Sequence, residues 1–245
     1  MLQLTGAVIA LGLLIERLIP ARRERADTQS NLMLWAVNLT LNVFVLNGVR
    51  MSLATWARAF DLPHLNLAAM PFVLGAAIYV CAADFLEYAF HRLEHAVPLF
   101  WRIHSLHHSD PCMNVSTANR HHWGAPLIKV LLVTPVAALL LRPTGAQVVC
   151  YNLVSLWGLV IHLNVDFHLG PLNRVLNSPN AHRIHHSVEP EHYDRNFGNI
   201  LSVWDVLAGT YFEPQRAAAP ATGLSGRPRR IGEALVWPLL KASRG

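Results

Sequence analysis

The sequence predicts an all-α integral membrane protein of four to five transmembrane helices, with histidine boxes gathered at one membrane face. Three observations predict it. The 245-residue chain is 53% hydrophobic and only 14% charged, whereas soluble domains are near a quarter charged. Its uncharged stretches at 31–49, 65–83 and 143–165 approach the ~20 residues that span a bilayer. Eight of its 14 histidines gather into three clusters, His91-Arg-Leu-Glu-His95, His104-Ser-Leu-His107-His108 and His182-Arg-Ile-His185-His186, that lie next to apolar stretches rather than inside them.

The first element, 1–19, has no basic residue before its apolar run, and Arg22, Arg23 and Arg25 follow it. That order is wrong for a cleaved secretory signal, so the segment is expected to be a retained span with its N-terminus outside. The second span covers 31–49, where Asn38 and Asn42 lie one turn apart and suit hydrogen bonding between helices. The third is expected over 65–90 and the fifth over 143–165. Between them, 124–141 is interrupted by Lys129 and Pro135, and it either spans or re-enters. Five crossings place 20–30, 91–123 and 166–245 on one side. Of the 20 Lys and Arg residues, only Arg50, Arg58 and Arg142 then fall on the other side, so the positive-inside rule makes the first side cytoplasmic. A bacterial inner membrane is the expected location. The membrane-embedded domain is expected over 1–213, with histidine-box regions at 91–122 and 162–186. The remainder, 214–245, reads as a flexible tail, because 214–230 is dominated by Ala, Gly, Pro and Arg. Within it, 231–240 forms one short interfacial helix or none.

The histidine spacing carries the chemistry. Residues three and four apart share a helix face, so His91 and His95, or His104 and His108, aim imidazoles at one point. Adjacent histidines diverge by about 100° around the helix, so in HxxHH one serves a first ion and its neighbour a second. Chance would give that spacing about 0.05 times in such a chain, as a rough motif estimate, and here it occurs twice. Two apolar segments separate the second and third boxes, so the chain crosses twice or not at all between them, and all boxes share one side. Asp84 and Tyr88 precede His91 by seven and three residues on the same stripe. An acid near the end of a membrane helix is a functional candidate, and Asp84 is placed to accept the second ring N–H of a ligand histidine. Glu87 and Glu94 lie off that stripe's centre and read as solvated or Arg-paired. His64, His121, His168 and His192 lack box spacing and read as loop or headgroup-level histidines. Cys81, Cys112 and Cys150 form no CxxC, so neither a disulfide framework nor a thiolate site is expected. The net charge of +5 is spread through loops without an aromatic-basic motif, which argues against nucleic acid and for anionic headgroups.

The strings Asp84-Phe-Leu-Glu-Tyr-Ala-Phe-His91-Arg-Leu-Glu-His95, Trp101-Arg-Ile-His104-Ser-Leu-His107-His108-Ser and Pro179-Asn-Ala-His182-Arg-Ile-His185-His186-Ser resemble the fatty acid hydroxylase/sterol desaturase superfamily of membrane di-iron oxygenases. So do the closing stretch Asn196-Phe-Gly-Asn-Ile-Leu-Ser-Val-Trp204-Asp205-Val-Leu-Ala-Gly209-Thr210 and the opening Glu16-Arg-Leu-Ile-Pro20. The resemblance runs to about residue 212 and implies a helical membrane protein with a cytosolic cap of short helices carrying the histidine boxes, and two irons held by histidines alone, with O2 as co-substrate. The ligands it implies are His91, His95, His104, His107, His108, His182, His185 and His186. It adds His162, in Val-Ile-His-Leu-Asn, and His122, which falls where many members have His-Pro although Trp123 replaces the proline here. Some members carry a further histidine four residues after the mid-chain one, and this chain has Asp166 there. Either that carboxylate substitutes as a ligand, which iron accepts, or Asp166 is a surface N-cap.

Breaking an unactivated C–H bond needs an oxidant stronger than any side chain, so a redox metal must activate O2. Eight to ten nitrogen donors also exceed what a four-coordinate zinc wants. Electrons must come from an external reductase or small redox carrier, since the chain has no GxGxxG fingerprint and no recognisable haem domain. A zinc-dependent membrane hydrolase is an alternative, but HRLEH has its glutamate in the wrong place for HExxH. A histidine-rich metal transporter is another, but transport should distribute ligands through the bilayer depth. The substrate is expected to be a membrane lipid: a sterol, fatty acyl chain, ether lipid or carotenoid. Hydroxylation and desaturation share their first hydrogen abstraction and stay open.

Overall fold

The structure, a computed structural model, describes residues 2–23, 26–60, 62–215, 219–226, 228 and 230–237. Among these the regular structure is helical, with isolated β-bridges and no strand. Helix α1 (Leu2–Leu18) turns Ile9, Gly12 and Glu16 inward, a three-and-four spacing that makes one face. Gly12 is required there, because a Cβ would lie 2.9 Å from Val115 and 3.0 Å from Leu163. One turn on, Glu16 accepts the backbone N–H groups of Val115 at 2.7 Å and Asn164 at 2.9 Å. The carboxylate therefore ties α1 to the chain on both sides of the site.

Helix α2 runs unbroken over Thr28–Ala59 through a π-helical turn at Asn42–Leu46. The helix thus runs on past the expected span of 31–49. Arg50 satisfies its guanidinium on its own helix, donating to Asn47 at 2.7 Å and to Asn42 at 3.3 Å, so the charge does not stop the helix. Asn42 accordingly serves Arg50 rather than a neighbouring helix. Helix α2 stops where Phe60 turns extended, before Pro63.

Helix α3 (Phe72–Ala96) begins after Pro71 and ends at an extended Val97, the conformation that the following Pro98 imposes. Pro98 then starts α4 (Pro98–His108) at the position where a missing N–H costs nothing. Helices α2 and α3 are long and apolar enough to cross a membrane, and only 11% and 22% of their apolar windows are buried. A core helix of a soluble protein would be mostly covered; these leave their apolar faces open to a lipid-like medium. Shorter apolar helices follow, α5 (Gly124–Leu140), with Pro135 inside it, and α6 (Gly145–Val160). Thr144 and Gln147 cap α6 reciprocally. The Gln147 amide also reaches the Leu67 carbonyl at 3.1 Å, where Gly75 lets α3 pass close by.

Short helical elements cap the histidine boxes: α4, the 3-10 turn Val115–Asn119, α7 (Pro179–His185) and α8 (Val203–Ala208). Ser178 caps α7 by accepting from Ala181 at 3.3 Å. The stretch 214–230, expected as a linker, is partly seated on this cap. Thr222 accepts from Met113 N and donates to Asp110 O, both at 3.1 Å. Beyond it, α9 (Ile231–Leu235) places Trp237 against Leu34 and Leu106, with its indole N–H on Ser105 Oγ at 2.6 Å. One buried aromatic with a satisfied N–H anchors a segment whose composition otherwise reads as disordered.

Candidate metal centre

Nine histidines converge where α3, α4, α6 and α7 meet, and they form two abutting groups. The first contains His91, His95, His104, His108 and His185; the second contains His107, His162, His182 and His186. Helical periodicity makes this division. On α4, His104 and His108 share one face and His107 turns away. At α7, His182 and His186 share a face and His185 turns away. Each HxxHH box thus contributes two imidazoles to one group and one to the other. The groups touch through His108 and His186, whose rings stack at 4.4 Å.

The donor set fits metal ions. Nε2 atoms run His91–His104–His108–His95 at 3.1, 3.2 and 3.2 Å, and His107–His162–His182–His186 at 3.2, 3.0 and 3.2 Å. Several of these nitrogens are lone pairs facing lone pairs, because the ring proton is committed elsewhere. His91 Nδ1 donates to Phe197 O at 2.8 Å, His162 Nδ1 to Gly158 O at 2.6 Å and His185 Nδ1 to Arg195 O at 2.8 Å. His185 Nε2 is then buried without any hydrogen-bond partner among the described residues, a costly arrangement unless something electrophilic fills it. Two nitrogens each ~2.1 Å from one ion sit about 3.0 Å apart at a right angle and about 3.4 Å apart at the tetrahedral angle. The observed spacings of 3.0–3.2 Å lie between these two values, as expected of nitrogens converging on a common ion. Burial holds the imidazoles of His107, His108, His182, His185 and His186 well below the usual histidine pKa, so they are neutral at neutral pH, the form that metal binding requires.

Asp84 and Tyr88 do not touch a histidine, which corrects the role expected for Asp84. The Asp84 carboxylate instead accepts from Ile200 N and Leu201 N, both at 3.0 Å, and from the Trp204 indole at 2.9 Å. Tyr88 meets Thr210 Oγ1 at 3.1 Å, and Thr210 donates to Asp205 at 2.6 Å. Asp205 accepts Phe197 N at 2.9 Å and Gly198 N at 2.8 Å. The two aspartates therefore pin the segment whose Phe197 carbonyl fixes the His91 tautomer, and both act through backbone. The adjacent turn holds Asp194 and Asn196 at φ of 56° and 52°, left-handed positions that Asp and Asn tolerate. It places Asp194 Oδ1 3.2 Å from His95 Nδ1. Glu94, expected at the surface, is buried with Oε2 3.4 Å from His104 Nδ1. Arg120, also buried, donates Nε to the Leu106 carbonyl at 3.1 Å and to Ser109 at 3.0 Å, and its guanidinium pairs with Asp27 at 3.1 Å. It holds the C-terminal end of the box helix α4.

Two further expectations change. His122 lies in neither group. Its Nε2 reaches Leu235 O at 2.8 Å and its Nδ1 accepts from Gly124 N at 3.0 Å, because the next turn starts α5 and points the ring at the C-terminal segment. Its neighbour His121, set aside for lack of spacing, stacks on His107 with centroids 4.5 Å apart. Asn38 of α2 fixes that turn by donating to His121 O at 2.8 Å, so it joins α2 to the turn before α5 rather than to another long apolar helix. Asp166 is exposed, outside both groups, and accepts from Asn180 at 2.7 Å. It is neither ligand nor N-cap, since Ser178 caps α7.

Two cavities reach the histidines from opposite sides. The larger, about 340 Å³, is walled by His91, His104, His107, His162 and His182 and extends among α2, α3, α5 and α6. The smaller, about 50 Å³, is walled by His95, His108, His185 and His186, with Trp101 and Tyr193 at its rim. No histidine of the two groups lines both.

The family model for fatty acid hydroxylase matches residues 76–210, which contain all nine histidines. The chain belongs to the fatty acid hydroxylase family. Among its relatives, an ornithine lipid hydroxylase of Rhizobium tropici is 35% identical over 155 residues, 63% of this chain and 46% of that protein. An alkylglycerol monooxygenase of Danio rerio is 36% identical over 155 residues, 63% of this chain and 33% of that protein. A Delta(7)-sterol 5(6)-desaturase of Aspergillus fumigatus is 24% identical over 165 residues, 66% of this chain and 46% of that protein. The matched stretches thus span less than half the length of these relatives. No solved structure matches the chain. The family region ends at Thr210, directly after the Asp205 clamp, so the clamp lies within the matched stretch while the seated C-terminal segment lies outside it.

Proposed function

We propose that this chain is an O2-dependent di-iron oxidoreductase that hydroxylates or desaturates a C–H bond of a membrane lipid. The observation that carries the reading is the pair of abutting histidine groups with closely converging nitrogens, opened on one side by a cavity large enough for part of a lipid. The relatives named for an ornithine lipid, an alkylglycerol and a sterol support a lipid substrate. Two irons, held by His91, His95, His104, His108 and His185 and by His107, His162, His182 and His186, would supply O2 activation. The protein's own contribution is placement. Phe197, Gly158 and Arg195 carbonyls hold ring protons on Nδ1, so Nε2 faces inward. The 340 Å³ cavity admits substrate between apolar helices, and the histidine layer separates it from the smaller cavity on the cap side. Helices α2 and α3, with α1, α5 and α6, would anchor the chain as a multi-pass protein with the histidines at the cytoplasmic face. Electrons would come from a separate reductase or redox carrier.

The test compares membrane lipids from cells expressing the wild-type chain, His107→Ala or His185→Ala, with and without oxygen. The expected result is a lipid gaining one oxygen atom or losing two hydrogens, in wild type under oxygen only. The same product without O2, or in both variants, overturns the reading. One zinc per chain and no iron in freshly purified protein would favour a hydrolase.

A further inference from the structure

The wall of the larger cavity is not the all-apolar surface that an aliphatic chain would need. Glu87 of α3 and Lys129 of α5 both line it and form an ion pair there. The Glu87 side chain is 22% exposed and that of Lys129 41%, so the pair opens onto the cavity. Tyr151 of α6 hydrogen-bonds the same Glu87 carboxylate, and Asn38 of α2 and Asn119 add polar surface to the wall. Ionisable groups on apolar, membrane-type helices are costly and mark functional positions. Glu87 also lies four residues before His91 on α3, about 6 Å along the helix. Anything bound at this pair therefore sits only a few covalent bonds from the histidine groups.

An ion pair facing a partly desolvated cavity selects its ligand by compensation. A ligand with one charge would leave either Glu87 or Lys129 without a partner, and an unpaired charge in such a place is costly. A ligand with both charges exchanges partners without leaving any charge alone, its ammonium on Glu87 and its anion on Lys129. We propose that the cavity binds the zwitterionic polar head of its lipid through Glu87 and Lys129, which puts the oxidised carbon in or beside the head rather than far down a tail. This rests on the lipid-oxygenase reading and names the substrate class for the same site.

The test is a competition read by native mass spectrometry, using the full-length, iron-loaded protein in a neutral maltoside detergent. The probes share one tetradecanoyl chain: lysophosphatidylethanolamine is zwitterionic, lysophosphatidylglycerol is anionic and the monoacylglycerol is neutral. Wild type should prefer the zwitterion over both others by about ten- to a hundredfold, the range expected for hydrogen bonds to charged groups. Glu87→Gln and Lys129→Met should each lose that preference, and Lys129→Arg should keep it. Equal binding of the monoacylglycerol by wild type overturns the proposal. So does an unchanged preference in Glu87→Gln, which decides the matter alone if Lys129→Met fails to fold. A pair that merely joins α3 to α5 would lower the unfolding temperature of the variants and leave probe preference unmoved. Binding needs no turnover, so an inactive wild type that keeps the preference would sink the oxygenase reading and spare this one.

Discussion

A histidine presents its Nε2 lone pair only while Nδ1 keeps the proton, so each ligand depends on what Nδ1 touches. The carbonyls of Phe197, Gly158 and Arg195 and the carboxylate of Asp194 do this work, and the Glu94 carboxylate lies 3.4 Å from His104 Nδ1. Replacing Glu94 with Gln should therefore weaken iron binding about ten- to a hundredfold, measured by competition with a chelator; unchanged affinity would remove Glu94 from the centre. His107→Ala and His185→Ala act on different groups, so each should leave one iron of two in purified protein by elemental analysis. Asp84 is fully buried and holds three donors. Asp84→Ala leaves those donors unsatisfied and should cost on the order of 3 kcal/mol in denaturant unfolding.

Elements are where helix ends and close approaches decide the architecture. Gly12 lies against Val115 in the 3-10 turn that precedes His121 and His122. Gly12→Val should cost about 1–3 kcal/mol through overpacking, seen as a lower unfolding temperature. At the other end of the chain, Trp237 is 1% exposed against α2 and α4. Trp237→Ala should cost about 3–5 kcal/mol; a negligible shift would mean that the C-terminal segment does not brace the box helix. The apolar runs anticipated the long apolar helices, but not the true length of α2. Charge along a helix ends it only when nothing nearby satisfies the charge, and Arg50 finds Asn47 and Asn42. The C-terminal segment was equally opaque, because Ala, Gly, Pro and Arg dominate its composition and a single tryptophan does the anchoring.

At the scale of the whole molecule, many buried imidazoles titrate together with folding. Burial holds His107, His108, His182, His185 and His186 well below their ordinary value, and His121 at about 4. As pH falls, the unfolded chain takes up protons first, near 6.5. The metal-free protein should then keep its full stability above about pH 6.5 and lose it steeply as pH falls toward 4. Urea unfolding of chelator-treated protein across that range checks this, and a flat profile would contradict the buried, neutral state. Iron should move the loss to lower pH, because bound metal competes with protons for the same lone pairs.

The sequence by itself determined what depends on short range. Three- and four-residue spacing on a helix does not need the rest of the fold, so the eight box histidines and their division at each HxxHH could be read directly. Tertiary structure alone decided what lies between distant segments. His121 stands beside the centre and His122 does not, because Asn38 fixes their turn from another helix. Glu94 faces His104 because Pro98 folds α4 back beside α3. Asp84 and Asp205 grip a loop that is more than a hundred residues from the first of them. Hydrogen-bond partners brought together by chain packing have no periodicity along the chain, and that is why spacing could not reveal them.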